Sequence, residues 1–246
     1  MIKIALDAGH GLNTAGKNTP DGIKEWTLND KVRDKVVEIL NKYEVEIINT
    51  DNDEGVVDES LGDRLARYKN AGVAAFVSIH HNAFTSKWNN ATGVEVYTDR
   101  NYTSADMELA KLIYDRMVKY IGMKGRGIKH ENFYVINQNS IPAVLCEGGF
   151  MDGTSDYKII TSDAGQSAYA KAVAEGLIIF LGLKKKVAPV TESVIYNTMD
   201  EIPDFAKETI QKLVFKGAIK GDDTGLNLTY DMIRMFVMMD RLGILG

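Results

Sequence analysis

The chain has 246 residues, 45% hydrophobic and 26% charged, with a formal net charge of -5. That length allows one medium domain and a small appendage, and the acidic balance excludes a general nucleic-acid binder, which presents a basic surface. No run reaches the roughly 18 consecutive apolar residues of a bilayer span, so no membrane partner is expected, and the single cysteine, Cys146, excludes an intramolecular disulfide.

Ile2 to Leu6 reads as a strand starting one residue after Met1, which leaves no room for the charged and apolar regions of a signal peptide. The expectation is a chain made in the cytoplasm that meets any extracellular target only after release. Leu28, Val32, Val36, Ile39, Leu40 and Tyr43 recur at helical spacing, and Val45 to Ile48 reads as a second strand, so the opening is a βαβ unit. A helix through Leu61, Leu65 and Tyr68 leads to Val73–Ile79, a continuous apolar run suited to a strand buried on both faces. Val94 to Tyr97 alternates as a strand, a longer helix carries Leu109, Leu112, Ile113, Met117 and Ile121, and Phe133 to Ile136 and Ala143 to Leu145 read as two further strands. A last helix runs through Tyr169, Val173, Leu177 and Phe180. This alternation predicts an α/β fold with a mixed, mostly parallel central sheet of about six strands flanked by helices.

The lysine run and proline of residues 184–189 read as a linker between a domain at 1–183 and a small, mainly helical module at 190–246. In the module Pro203 opens one helix, Gly217 ends it, and Thr229 is placed to cap a second through Ile233, Val237 and Leu242.

Three of the four histidines stand where a strand hands over to a loop: His10 after the first, His80 and His81 after Val73–Ile79. Ligands of parallel α/β sheets gather at the carboxyl ends of the strands. Glu147 closes the last apolar strand at that rim, and Glu25, at the start of the first helix, is near enough in sequence to fold back beside His10. Two imidazoles and a carboxylate around Zn²⁺, with a second carboxylate beside the open position, form a hydrolytic arrangement. Taken singly, each of these residues reads as well as a solvated side chain, and spacing alone leaves the matter open.

Four motifs in order carry a resemblance: Leu6-Asp7-Ala8-Gly9-His10-Gly11, then Lys24-Glu25-Trp26-Thr27-Leu28-Asn29, then Ser78-Ile79-His80-His81-Asn82-Ala83, then Glu147-Gly148-Gly149-Phe150. Residues 1 to about 182 resemble the zinc-dependent N-acetylmuramoyl-L-alanine amidases of the Amidase_3 type. The resemblance implies hydrolysis of the amide between the lactyl group of N-acetylmuramic acid and the L-alanine of the peptidoglycan stem, with one catalytic Zn²⁺ and no organic cofactor. It makes His10, Glu25 and His80 the metal ligands, with His80 preferred to His81 because it directly follows Ser-Ile, and Glu147 the catalytic carboxylate. His81, Asn82 and His130 are carried as substrate-binding candidates, His130 from the loop entering the fifth strand. Asp7 is a candidate partner of the His10 imidazole, Arg64 reads as a structural brace, and Cys146 as an inert core thiol.

The whole looks like a phage or prophage endolysin that acts on the cell wall once released through a pore. A bacterial autolysin freed at mother-cell lysis shares every catalytic residue; a wall-binding protein without catalysis and a zinc peptidase acting on proteins are the rivals from other classes. Residues 190–246 are loosely similar to a single S-layer-homology motif, which implies a cell-wall polymer as partner and self-association through the module, with a packing appendage as the plain alternative.

Overall fold

The computed structural model describes residues 1–137, 140–186 and 194–245, and the chain divides into two compact units, Met1–Lys186 and Val187–Gly246. In the first, strands β1 (Ile2–Ala8), β2 (Val45–Asn49), β3 (Phe76–Asn82), β4 (Val94–Thr98), β5 (Gly125–His130) and β6 (Ala143–Phe150) form one sheet in the order β2-β1-β3-β6-β4-β5. β2, β1, β3 and β6 are parallel; β4 runs antiparallel to β6, and β5 follows β4. The expected mixed, mostly parallel sheet of six strands is what forms.

The two faces are covered unequally. Residues such as Ile4, Leu6, Val77, Ile79, Val96, Val144 and Cys146 pack into the main core with α1 (Glu25–Leu40), α3 (Ser104–Ile121) and α5 (Asp163–Leu181). Successive strand residues point to opposite faces, so Ala5, Phe76 and Leu145 turn to the other side. There they meet a thin layer made by Tyr68 of α2 (Leu61–Ala71) and Val135 and Ile136 of a single 3-10 turn, Tyr134–Ile136. The remainder of that face carries a polar row.

Three expectations change. Phe133 to Ile136 is no strand: Val135 and Ile136 plug the thin layer, and the fifth strand is Gly125–His130, whose Gly-Arg-Gly-Ile-Lys-His sequence has one apolar residue because it is a sheet edge. β3 starts later and ends later than the apolar run, and β6 continues through Gly148 and Gly149, so His80, His81 and Glu147 lie inside strands and not after them. The linker expected at 184–189 does not begin at Lys184, because the Lys184 carbonyl accepts from Glu44 N at 2.8 Å and Lys186 N donates to the Lys42 carbonyl at 2.9 Å, which ties both to the first unit. Residues 187–189, and the module's start at 190, lie outside the described residues. A short helix, α4 (Thr154–Ile160), precedes α5.

The second unit pairs α6 (Asp204–Phe215) with α7 (Tyr230–Arg241) and adds a two-stranded ribbon, β7 (Ile195–Tyr196) against β8 (Leu228–Thr229). Ile202, Ala206, Ile210, Leu213, Ile219, Leu228, Ile233 and Val237 make its own core. Thr229 caps α7 by accepting from Met232 N at 3.2 Å.

Candidate functional site

The site begins where β1 ends. His10 holds a left-handed backbone, φ 69°, a conformation that non-glycine residues adopt at a cost and keep only where neighbours impose it. Arg64 of α2 imposes it: its guanidinium donates to the carbonyls of Ala8 (2.9 Å) and His10 (2.7 Å) and to Asp7 Oδ1 (2.6 Å). Arg64 is thus the expected brace. Asp7 does not reach the His10 ring; it is buried, with Thr50 Oγ1 at 2.8 Å and Ser78 Oγ at 2.6 Å as further donors. Burial alone would raise its carboxyl, but the Arg64 charge and the Ser78 hydrogen bond outweigh it and hold it below the ordinary aspartate range. Between them, Gly9 is required because a Cβ there would stand 2.0 Å from His80 Cε1.

Glu25 is the first residue of α1, where the helix N-terminus favours negative charge. Its buried carboxylate lies between the two imidazoles, with Oε1 3.0 Å from His80 Nδ1 and Oε2 3.3 Å from His10 Nε2. One turn on, Asn29 donates to the Gly9 carbonyl at 3.1 Å and to Glu25 Oε1 at 3.4 Å. Burial works against ionisation of Glu25, yet the hydrogen bonds from His10 and His80 hold its carboxyl far below the usual range. His80 is raised in return: burial opposes its charge, and Glu25, then Glu147 and Asp7, overcome that.

Strand alternation separates the tandem histidines. His80 faces the cleft, whereas His81 is turned into the main core, its Nδ1 2.8 Å from Asn29 Oδ1 and its ring edge-on to Tyr169. Burial pushes His81 down to about 4, so it is a neutral core imidazole and not the cleft-lining substrate contact expected. Asn82 is likewise committed, donating to Glu95 Oε1 at 2.6 Å and accepting from Ala83 N. His130 lies at the wrong rim. Because β4 and β5 run against β6, the C-terminal end of β5 lies at the same rim as the N-terminal end of β6, and His130 there bonds Thr98 Oγ1 at 2.7 Å and stacks on Tyr102.

Glu147 stands opposite His80 in the β3/β6 register. Its Oε2 is buried and has no hydrogen-bond partner among the described residues. Burial, opposed by His80 and reinforced by the carboxylates of Glu25 and Glu95, pushes its carboxyl up to about 8. A cleft of about 480 Å³ opens over this row, lined by His10, His80 and Glu147 and walled by Lys17, Leu61 and Tyr134.

One ligand atom from each of His10, Glu25 and His80 lies within 4.8 Å of the others, the one such group among the described residues. The donor set, two imidazole nitrogens and a carboxylate oxygen, is that of a hydrolytic Zn²⁺ site, and the 3.0 and 3.3 Å spacings approach the tetrahedral edge of about 3.3 Å that bonds near 2.0 Å imply. The residues therefore fit a metal ion, and the unpartnered Glu147 oxygen supplies the free carboxylate beside it. Sequence reasoning missed Asn29, although it lies one helical turn from Glu25, and it missed Glu95, a charged residue on an inward strand face.

A mostly parallel α/β sheet that gathers His, Glu and His, a group able to hold a metal ion, beside a free buried carboxylate has the make-up of a hydrolase site. The family model described as N-acetylmuramoyl-L-alanine amidase, Amidase_3, matches residues 4–178. The chain belongs to this family and is an amidase that hydrolyses bacterial cell-wall peptidoglycan. It is 35% identical over 191 residues to the endolysin of Bacillus phage SPP1, covering 76% of this chain and 69% of that one. It is 31% identical over 187 residues to the sporulation-specific N-acetylmuramoyl-L-alanine amidase of Bacillus subtilis, covering 75% of this chain and 70% of that one. Among solved structures, the catalytic domain of CwlV, an N-acetylmuramoyl-L-alanine amidase from Bacillus (Paenibacillus) polymyxa var. colistinus, superimposes with a TM-score of 0.68 at 28% identity, covering 75% of this chain and 100% of that one.

Proposed function

We propose that this amidase works with one Zn²⁺ held by His10, Glu25 and His80, and that Glu147 is its proton-transfer residue. The observation that carries the reading is the convergence of those three donors beside Glu147, whose Oε2 is buried without a partner. Bound there, the ion would supply Lewis acidity to the scissile carbonyl and to the attacking water. Glu147, protonated without the ion and ionised by the positive charge beside it once the ion is bound, would take a proton from the water at its free oxygen and return it to the nitrogen of the departing L-alanine. Asn29 and Arg64 act before any chemistry, the first by fixing Glu25 and the Gly9 carbonyl, the second by holding the backbone of His10.

The test is the mass of the products from purified walls. New lactyl carboxylates on muramic acid, paired with free L-alanine amino termini, support the reading, whereas amino groups released only from peptide cross-links point to a peptidase. The likeness to a phage endolysin supports action on the wall after release from the cell that made it. The likeness to the sporulation-specific enzyme of Bacillus subtilis favours a second reading, an autolysin freed at mother-cell lysis.

For residues 190–246 the proposal is attachment to a wall polymer. In its support stands a unit with a core of its own that still exposes Phe205, Met235, Met238 and Leu242 around a groove of about 580 Å³. Self-association through the same face belongs to this proposal, since exposed apolar patches mark interaction surfaces.

A further inference from the structure

The polar row does not end at Glu147. His80 of β3 pairs in register with Glu147 of β6, and Glu147 with Glu95 of β4. Beyond Glu95 the edge strand β5 brings two cations to the same face, Lys129 opposite Tyr97, and Arg126 at the irregularity between Val94 and Val96. The metal donors lie on one side of Glu147, and this basic edge lies on the other, about 10 Å away at two strand spacings.

The basic edge is built around a buried carboxylate. Glu95 is 1% exposed and receives four hydrogen bonds or ion pairs: Asn82 Nδ2 at 2.6 Å, Tyr97 OH at 2.7 Å, Arg126 Nε at 2.7 Å and Lys129 Nζ at 2.5 Å. Burial would raise its carboxyl, but the hydrogen bonds from Lys129, Tyr97 and Arg126 keep it ionised. Two cations against one anion leave a surplus positive charge. Arg126 is held by Nε and by the Phe150 ring, 4.9 Å beneath its guanidinium, so among the described residues Nη1 and Nη2 have no partner. The same arginine lines a shallow groove of about 360 Å³ with Phe84, Asn89, Asn90, Ala91 and Phe150. A guanidinium oriented by one nitrogen and presenting the other two is a fork for a carboxylate.

Resting on the amidase reading, we propose that Arg126, with Lys129 beside it, binds the first free carboxylate of the stem peptide and so determines which stems are cut. In the substrate the muramic lactyl carboxyl is consumed in the scissile amide and the sugar rings are neutral, so the carboxylates belong to the peptide. L-alanine spends its own carboxyl on the next bond. The residue after it, a glutamate linked through its side chain, is the first to carry a free α-carboxylate; two extended residues at about 3.3 Å each carry it about 7 Å from the scissile bond, and the Arg126 side chain, whose Nε reaches back to Glu95 on β4, closes the remainder. The peptide then leaves over β4 and β5, and the glycan is left the aromatic side of the cleft at Phe133 and Tyr134.

The experiment compares two soluble muramoyl-peptides that differ only in a free carboxylate or a carboxamide at that second residue. The native enzyme is expected to favour the acid in kcat/KM by on the order of 10-fold, the worth of a charge-assisted hydrogen-bond pair. Arg126→Gln should bring the ratio close to one, chiefly through KM for the acid, Lys129→Gln should lower it partway, and Arg126→Lys should retain part of it. The ratio does not depend on how much of a variant is folded, so loss of a Glu95 partner cannot imitate the result. Equal cleavage of both substrates by the native enzyme, or an equal loss on both in Arg126→Gln, would overturn the proposal. No turnover of either substrate by the native enzyme would instead refute the amidase reading beneath it.

Discussion

Replacing Asp7 with asparagine keeps the shape of the site floor and removes the charge that answers Arg64. Both side chains are 1% exposed, so the variant leaves a guanidinium buried with only carbonyls and the half-exposed Asp58 for company. Breaking a buried pair in this way costs about 3–5 kcal/mol, and the Ala8 and His10 carbonyls that Arg64 keeps place the expected loss near the lower figure. For a unit of this size, with roughly 2–4 °C per kcal/mol, the midpoint should fall by about 6–12 °C. Both tryptophans of the chain, Trp26 and Trp88, lie in the first unit, so tryptophan fluorescence during heating follows that unit alone. Asp7→Leu combined with Arg64→Met should cost less than the two single changes added together, by on the order of 2 kcal/mol, because no charge is then stranded. Sign and pH agree: the folded pKa of Asp7 is depressed, so its contribution is complete above the ordinary aspartate value of about 4 and is lost as pH falls through the lower folded value. An Asp7→Asn midpoint within about 2 °C of the native one, with additive double-variant energies, would refute the claim that this pair holds the site.

Removal of metal by a chelator should abolish wall lysis and added Zn²⁺ restore it, while the fluorescence transition persists because the first unit has a large core of its own; full activity at zero measured metal content would rule the zinc reading out. Glu147→Ala should leave metal content unchanged and lower the rate by roughly 10²–10⁴, whereas alanine at His10, Glu25 or His80 should lower metal content itself, and His81→Ala should lower the melting midpoint with metal retained. In the metal-free protein the Glu147 carboxyl, at about 8 when folded, holds a proton that the unfolded chain loses near the usual carboxylate value, so stability falls as pH rises between the two; Glu147→Gln should match the native midpoint near pH 4 and exceed it above pH 8. A reporter fused to residues 190–246 should decorate walls of a susceptible bacterium, and deleting them should weaken lysis of whole cells while sparing a soluble muropeptide.

How far the residues announce this structure depends on which signal each one sends. The main core was legible because Leu28, Val32 and Val36, or Val77 and Ile79, repeat with the period of their element. Strand ends were not, because nothing apolar marks where β3 or β6 stops, and the motif residues His80, His81 and Glu147 continue the ladder as polar members. β5 escaped because an edge strand needs no alternation, and with it went the reversal of direction that sends His130 to the opposite rim. The choice between His80 and His81 is undecidable by spacing; the parity of β3 relative to its buried residues is what separates them, and that parity needs the register.

The unequal covering of the sheet has a consequence for how such an enzyme can be altered. Folding energy resides chiefly in the thick layer of α1, α3 and α5, while the cleft is roofed by α2, one 3-10 turn and the loops before them. Residues 53–57 and 131–133 can therefore be exchanged for longer or differently charged segments, as interchangeable parts on a fixed chassis, with little loss of the scaffold that aims the donors. Such grafting must spare Val135 and Ile136, which fill the thin layer, and the guanidinium of Arg64 with its partners Asp58 and Glu59: α2 must keep its place, because the helix that borders the variable roof is also the helix that fixes the backbone of His10.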